Sequence, residues 1–115
     1  MIQHRCNVCL DYIIIAVEGS ITNSEDANNL YALIKEQSKN GIKKVIIDLK
    51  KVNYISSIIV GFLIKINDEL NNISGVIVLC NVQQAVLELL KITKVNLILQ
   101  IFENQEKAVE YLSNL

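Results

Sequence analysis

The run Val45-Ile46-Ile47-Asp48-Leu49, followed after Lys50-Lys51 by Val52-Asn53-Tyr54-Ile55-Ser56-Ser57-Ile58-Ile59-Val60-Gly61, decides how this chain is read. Three consecutive β-branched residues favour a strand, because branched side chains pack well on a pleated surface. They are apolar at every position rather than at alternate ones. That pattern belongs to a strand covered on both faces, in the middle of a sheet, and the strand is expected over Lys44–Leu49. Tyr54-Ile55-Ser56-Ser57 then forms a short junction, after which the period changes. Ile59, Leu63, Ile66 and Leu70 centre a wide apolar arc at helical spacing, which predicts a helix to about Asn72 lying on the sheet. Ile58, Gly61, Lys65 and Asp68 fall on a narrow arc that faces outward, with Ser57 at its head.

The same reasoning extends in both directions. Gln3–Leu10 and Tyr12–Glu18 read as strands flanking a turn at Asp11, and Gly19 breaks the second. Thr22-Asn23-Ser24-Glu25 has the form of a capping box, a hydroxyl followed three residues later by a carboxylate. Helix one follows, with Ala27, Leu30, Tyr31 and Ile34 along one face and Asn40-Gly41 as its left-handed stop. After a Ser74-Gly75 turn, Val76–Leu79 is another buried strand. Asn81 is expected to cap a third helix that runs to about Ile92. Asn96–Phe102 reads as the last strand, and Asn104–Leu112 as a closing helix. The order ββαβαβαβα implies an α/β fold with a mainly parallel central sheet of about five strands and about four helices, its opening pair joined as a hairpin.

The totals exclude several functions. Eleven basic and twelve acidic residues leave a net charge of -1 and are scattered, so no field gathers nucleic acid or anionic lipid. No apolar run approaches the roughly 20 residues that cross a bilayer, and no basic leader precedes an apolar stretch. A cytoplasmic protein without a membrane role is expected. The chain contains no proline and no Gly/Ser-rich linker, so residues 1–115 read as a single domain. Cys6 and Cys9 have the Cys-x-x-Cys spacing, yet in a strand residues three apart point to opposite faces and cannot clamp one ion. They and Cys80 are expected to be reduced and structural, and no metal or other cofactor is implied. His4 is the sole histidine, and no serine–base pair or Gly-rich phosphate loop exists, so no catalytic residues are assigned. Glu18, Asp26, Asp48 and Asp68 read as caps, strand ends and solvated positions.

The strand ending in Asp48-Leu49, then Tyr54-Ile55-Ser56-Ser57 and Gly61, resembles the signature of STAS domains, the family of anti-sigma factor antagonists and transporter C-terminal domains. The resemblance covers nearly the whole chain. Gly19-Ser20-Ile21-Thr22 is similar to the family's turn before helix one, with Thr22 where Asp is frequent. Ala85-Val86, Leu89-Leu90 and Ile92-Thr93 resemble the third helix and its exit, while Phe102-Glu103-Asn104 and Ala108-Val109 resemble the last helix. Aligned without a gap, Ser56 stands where the family usually has Asp, and Ser57 falls on its phosphoacceptor. Ile58 replaces a small residue, Ile59 the first glycine, Val60 a leucine, and Gly61 keeps the second glycine.

The resemblance implies a STAS fold and an anti-sigma factor antagonist that switches partners. Unmodified, such a protein binds an anti-sigma factor with serine kinase activity, and phosphorylation at Ser57 reverses the binding. Thr22, Ser56, Ser57, Ile58, Gly61 and Lys65 form the expected partner-binding set, and the free protein is expected to be monomeric. The alternative is a non-phosphorylated STAS subunit of a stress-sensing or transport assembly. Residue chemistry is compatible with the switch. The first turn of a helix has unpaired N–H groups and favours negative charge, so it holds a phosphate well. Adding about -1.5 to -2 charges to a surface that docks uncharged would oppose docking. The plainer reading makes Ser56 and Ser57 helix caps contributing about 1 kcal/mol. Gly61 costs a helix about 1 kcal/mol relative to Ala, which close approach of another backbone would explain.

Overall fold

The computed structural model describes the backbone at residues 2–7, 11–21 and 24–115, and side chains at 11–19 and 24–115. The elements are β1 (Ile2–Asn7), β2 (Tyr12–Ile21), α1 (Ser24–Lys39), β3 (Lys44–Ile55), α2 (Ser57–Asn71), β4 (Val76–Cys80), α3 (Gln84–Ile92), β5 (Gln100–Phe102) and α4 (Gln105–Ser113). A 3-10 turn, Val95–Leu97, precedes β5. The five strands lie side by side in chain order. β1 runs antiparallel to β2, and every other neighbouring pair is parallel.

The continuous apolar runs are explained by the two faces of the sheet. Ile46 lies between Ile14 and Val78, and Ile47 between Ile15 and Leu79. Because side chains alternate along a strand, these rows point opposite ways. Ile13, Ile15, Val45, Ile47, Ile77 and Leu79 pack with residues of α1, α2 and α3 in the larger core. Ile14, Ile46, Val78 and Cys80 pack with Ala108 and Leu112 of α4 in a smaller one. Crossovers of one hand between strands laid down in one direction put three helices on one face. The last helix is not a crossover, and it covers the other.

Helix α1 stops where Gly41 takes φ +90. Ile42 N donates to Gln37 O and Gly41 N to Ser38 O, a Schellman pair that satisfies the last carbonyls. At the turn after α2, Ser74 is left-handed and Gly75 supplies space, since a Cβ there would lie 2.6 Å from Lys43 O.

Four local expectations need correction. Gly19 does not end β2. It adopts φ +85 within the strand, which continues to Ile21 through register shifts between Ala16 and Glu18 and between Gly19 and Ser20. β3 likewise runs on to Ile55, and beyond Asp48 it pairs with β2 alone, with Val52 opposite Gly19 and Ile55 opposite Ile21. The expected last strand, Asn96–Phe102, forms only at its end: Gln100–Phe102 is the strand, and a 3-10 turn, Val95–Leu97, occupies its start. Val95 and Leu99, four apart, are buried while Asn96, Leu97 and Ile98 between them are exposed, a helical rather than an alternating pattern. Finally, Asn81 does not cap α3, whose N-cap is Gln83. Asn81 sits at φ +55 and turns its amide toward Asp48.

That contact also corrects the reading of Asp48 as a solvated strand end. Its side chain is buried. It accepts from Lys50 N at 2.9 Å, from Asn81 Nδ2 at 3.3 Å and from Gln105 Nε2 at 2.6 Å. The carboxylate thus joins the middle of β3 and the exit of β4 to the start of α4, and hydrogen bonds to an ionised group are the strong kind. Glu18, by contrast, does lie near the surface, with Oε1 3.1 Å from Lys51 Nζ.

Candidate functional site

The two-stranded extension of β2 and β3 carries residues 52–55 beyond the main sheet and delivers the chain to the head of α2. Along this arm Val52 and Ile55 are buried, whereas Asn53 and Tyr54 face solvent. Ser56 is the N-cap of α2, with φ -93 and ψ 168, but its side chain makes no capping hydrogen bond. Its carbonyl accepts from Ile59 N at 3.1 Å and Val60 N at 3.2 Å. Ser57 is the first helical residue and is exposed. The cap role assigned to the two hydroxyls by the plainer reading is therefore not made by Ser56.

Helix α2 separates its faces as its spacing predicts. Ile59, Leu63, Ile66 and Leu70 are buried, together with Val60 and Asn67. Ser57, Ile58, Gly61, Lys65 and Asp68 are exposed. The branched side chain of Ile59, where a glycine is usual in the resemblance, is 1% exposed. Its bulk fills the core and does not shield Ser57. Ile58 is 45% exposed and stands beside Ser57. Among the described residues, nothing beyond its own helix turn lies within 4 Å of a Cβ built at Gly61, so none of them requires glycine there. The first turn of α2 carries no acidic residue, unlike that of α1 with Glu25 and Asp26. No carboxylate of its own first turn offsets the positive end of its dipole.

Not every expected residue joins this surface. Lys65 is two turns from Ser57, roughly 12 Å along the helix. Its ammonium lies 5.0 Å from the centroid of Tyr31 and 5.8 Å from that of Phe62, turned toward α1. Thr22, Asn23 and Cys9 fall outside the described residues, as do the side chains of His4 and Cys6. Cys80 is a free, buried thiol, pushed up to about 12 first by burial and then by the charge of Asp48. Among the described residues no group of His, Cys, Asp and Glu could hold a metal ion. Among them also, no helix is long and apolar enough to cross a membrane.

The expected partner-binding set omits Tyr54, an aromatic ring 56% exposed three residues before Ser57. It edges a groove of about 260 Å³ whose other walls include Ile55, Val86, Leu89 and Ile92. The available signal was its place as the aromatic residue of the run Tyr54-Ile55-Ser56-Ser57.

A family model described as the STAS domain matches residues 3–108. The chain belongs to the STAS domain family. It is 28% identical over 99 residues to BtrV of Bordetella bronchiseptica, a protein assigned as an anti-sigma factor antagonist, with 86% of this chain and 85% of BtrV covered. Its fold is shared with the anti-sigma factor antagonist SpoIIAA in its unphosphorylated form, at TM-score 0.76 and 15% identity over 100% of both chains. The phosphorylated form of SpoIIAA, a Bacillus cell fate determinant, superposes at TM-score 0.75 and 15% identity, covering 97% of this chain and 99% of that one. A sulfate transporter family protein from Wolinella succinogenes shares the fold at TM-score 0.80 and 17% identity, over 91% of this STAS chain and 87% of the other.

Proposed function

We propose that this STAS domain is an anti-sigma factor antagonist whose docking face is the head of α2, and that phosphorylation of Ser57 switches it off. The carrying observation is Ser57 itself, an exposed hydroxyl at the first helical position, beside exposed Ile58 and Gly61 and over a helix end with no acidic residue. The relationship to BtrV supports the antagonist role, and SpoIIAA, of like fold, exists in both phosphorylated and unphosphorylated forms. In this reading the partner is an anti-sigma factor that is also a serine kinase, and it docks the unmodified protein in the cytoplasm. Residues 1–115 act as one domain, monomeric until it meets that partner, and the domain performs no catalysis of its own. Ser56, Ile58 and Gly61 contribute contacts around Ser57, joined by Thr22 from the turn before α1, while Lys65, drawn toward Tyr31, stands outside the face.

The physical basis of the switch is charge. A phosphate brings about -1.5 to -2 charges to a face that would be covered by the partner, so docking must then desolvate and neutralise it. The test is incubation with the kinase-type anti-sigma factor and ATP, followed by intact-mass analysis and peptide mapping. One added phosphate on Ser57 is expected, with Ser57→Ala retaining partner binding and Ser57→Asp weakening it. Aspartate is itself a good N-terminal residue for a helix, so the domain stays folded. If Ser57→Asp binds as tightly as the parent and the parent gains no phosphate, the switch is wrong. The second reading, a STAS subunit of a transport or stress-sensing assembly, is favoured by the fold shared with the Wolinella transporter-family protein. It would then take over.

A further inference from the structure

A second surface lies on the other side of α2, where its C-terminal half meets α1. Here a cleft of about 320 Å³ is walled by Ile34, Ile66, Leu70 and Ile73. At its rim stand Tyr31, Lys35 and Glu69. Tyr31 donates from its hydroxyl to Glu69 Oε1 at 2.7 Å, and Lys35 Nζ lies 3.5 Å from the same oxygen. The other carboxylate oxygen differs. Although the Glu69 side chain is 39% exposed as a whole, Oε2 is shielded from solvent and receives no hydrogen bond from the described protein groups. A shielded polar atom without a donor is costly, and in native proteins such atoms are few and have a reason.

Both charges persist at neutral pH. The hydrogen bond from Tyr31 holds the Glu69 carboxyl below its ordinary range, and the bond to Tyr31 with the charge of Glu69 raises Lys35. The chemistry of an occupant follows from these groups. A purely cationic ligand would meet Lys35, and Lys65 over the Tyr31 ring, with only one carboxylate to offset them. A purely anionic ligand would pair with lysine but leave Oε2 without a donor. A ligand carrying an ammonium and a carboxylate on an apolar body serves all three groups. The last torsion of a glutamate is broad, so the carboxylate can tilt to present that oxygen to the cleft. An apolar pocket with a few convergent polar groups is the common form of a small-molecule site.

We propose that the α1–α2 cleft binds a small zwitterion with an apolar body, of the class of the aliphatic and aromatic amino acids. The ligand's ammonium bonds Glu69, its carboxylate bonds Lys35, and its side chain lies against Ile34, Ile66, Leu70 and Ile73. The site is independent of the Ser57 face and of the partner-switching reading.

The test is titration of the ¹⁵N-labelled protein with L-phenylalanine, followed by two-dimensional amide NMR. Saturable shifts are expected at residues 31–38 and 66–73, with a dissociation constant on the order of 1 mM. Phenethylamine, which lacks the carboxylate, and 3-phenylpropionate, which lacks the ammonium, should each bind at least about tenfold more weakly. Glu69→Gln should weaken phenylalanine by a similar factor, while its spectrum elsewhere shows the fold unchanged. Absence of saturable shifts in the cleft overturns the proposal. So does either singly charged analogue matching phenylalanine, or Glu69→Gln binding as the parent does.

Discussion

Truncating Ile58 and Leu63 separately tests the division of α2 into a docking face and a core face. Leu63 is 2% exposed and packs in the cluster formed by α1, α2, α3 and the sheet. Removing its buried methyl groups leaves a cavity, so Leu63→Ala should cost about 2 to 5 kcal/mol. Ile58 is 45% exposed. Complete burial of an isoleucine is worth about 1.5 to 3 kcal/mol, and nearly half of that remains unrealised in the free domain. Alanine returns a few tenths of a kcal/mol through its better helix propensity, so Ile58→Ala should cost less than about 1 kcal/mol. In a domain of this size 1 kcal/mol moves Tm by about 4 °C. Urea melts should give parallel slopes and a much lower midpoint for Leu63→Ala, with Ile58→Ala close to the parent. Calorimetric titration against the anti-sigma factor should reverse the ranking, Ile58→Ala losing about tenfold or more in affinity as a contact at the centre of the interface does. If Ile58→Ala were the more destabilising change, or left affinity untouched, the assignment of this arc as a docking surface would fail.

Gln105→Ala should destabilise by about 1 to 3 kcal/mol, because it removes the 2.6 Å bond to the buried Asp48 carboxylate that ties the start of α4 to the central strand β3. A denaturant midpoint unchanged from the parent would show that bond to be dispensable. Cys80 should resist alkylation in the native protein: lifting a thiol from 9.0 to about 12 cuts its thiolate about a thousandfold near pH 8. Iodoacetamide mapped by mass spectrometry should label it only under denaturing conditions, and equal rates in both states would contradict the burial. The sign of the linkage is also defined. The raised thiol contributes stability that is fully present below about pH 9 and lost as pH rises toward 12, so Cys80→Ala should flatten the alkaline side of the stability profile.

Much of the site was legible before folding. The period change between Val45-Ile46-Ile47 and Ile59, Leu63, Ile66, Leu70 is enough to place a buried strand ahead of an amphipathic helix, and the outward arc of Ser57, Ile58 and Gly61 is exposed as that spacing requires. Tyr54 was harder to see, because β3 continues to Ile55 only by pairing with β2, and its buried residues there, Val52 and Ile55, are three apart instead of alternating. Lys65 illustrates a different limit. Spacing puts it on the exposed arc, but its long side chain is drawn over Tyr31, 34 positions earlier in the chain, by a contact between helices.

The sequence by itself determined the element order, the αβ alternation, the covered middle strand and the identity of the family, since each depends on local periodicity or on a contiguous run of residues. Tertiary structure decided which face each apolar row serves, with α1 to α3 on one side and α4 alone on the other. It also decided the fate of the polar residues that local rules misplace. Asn81 leaves the helix cap for Asp48, Gln105 reaches the same carboxylate from 57 positions away, and Glu69 finds Tyr31 across 38. A hydrogen bond between elements depends on where two backbones have been brought by the packing of the core, and no periodicity in the chain encodes that distance.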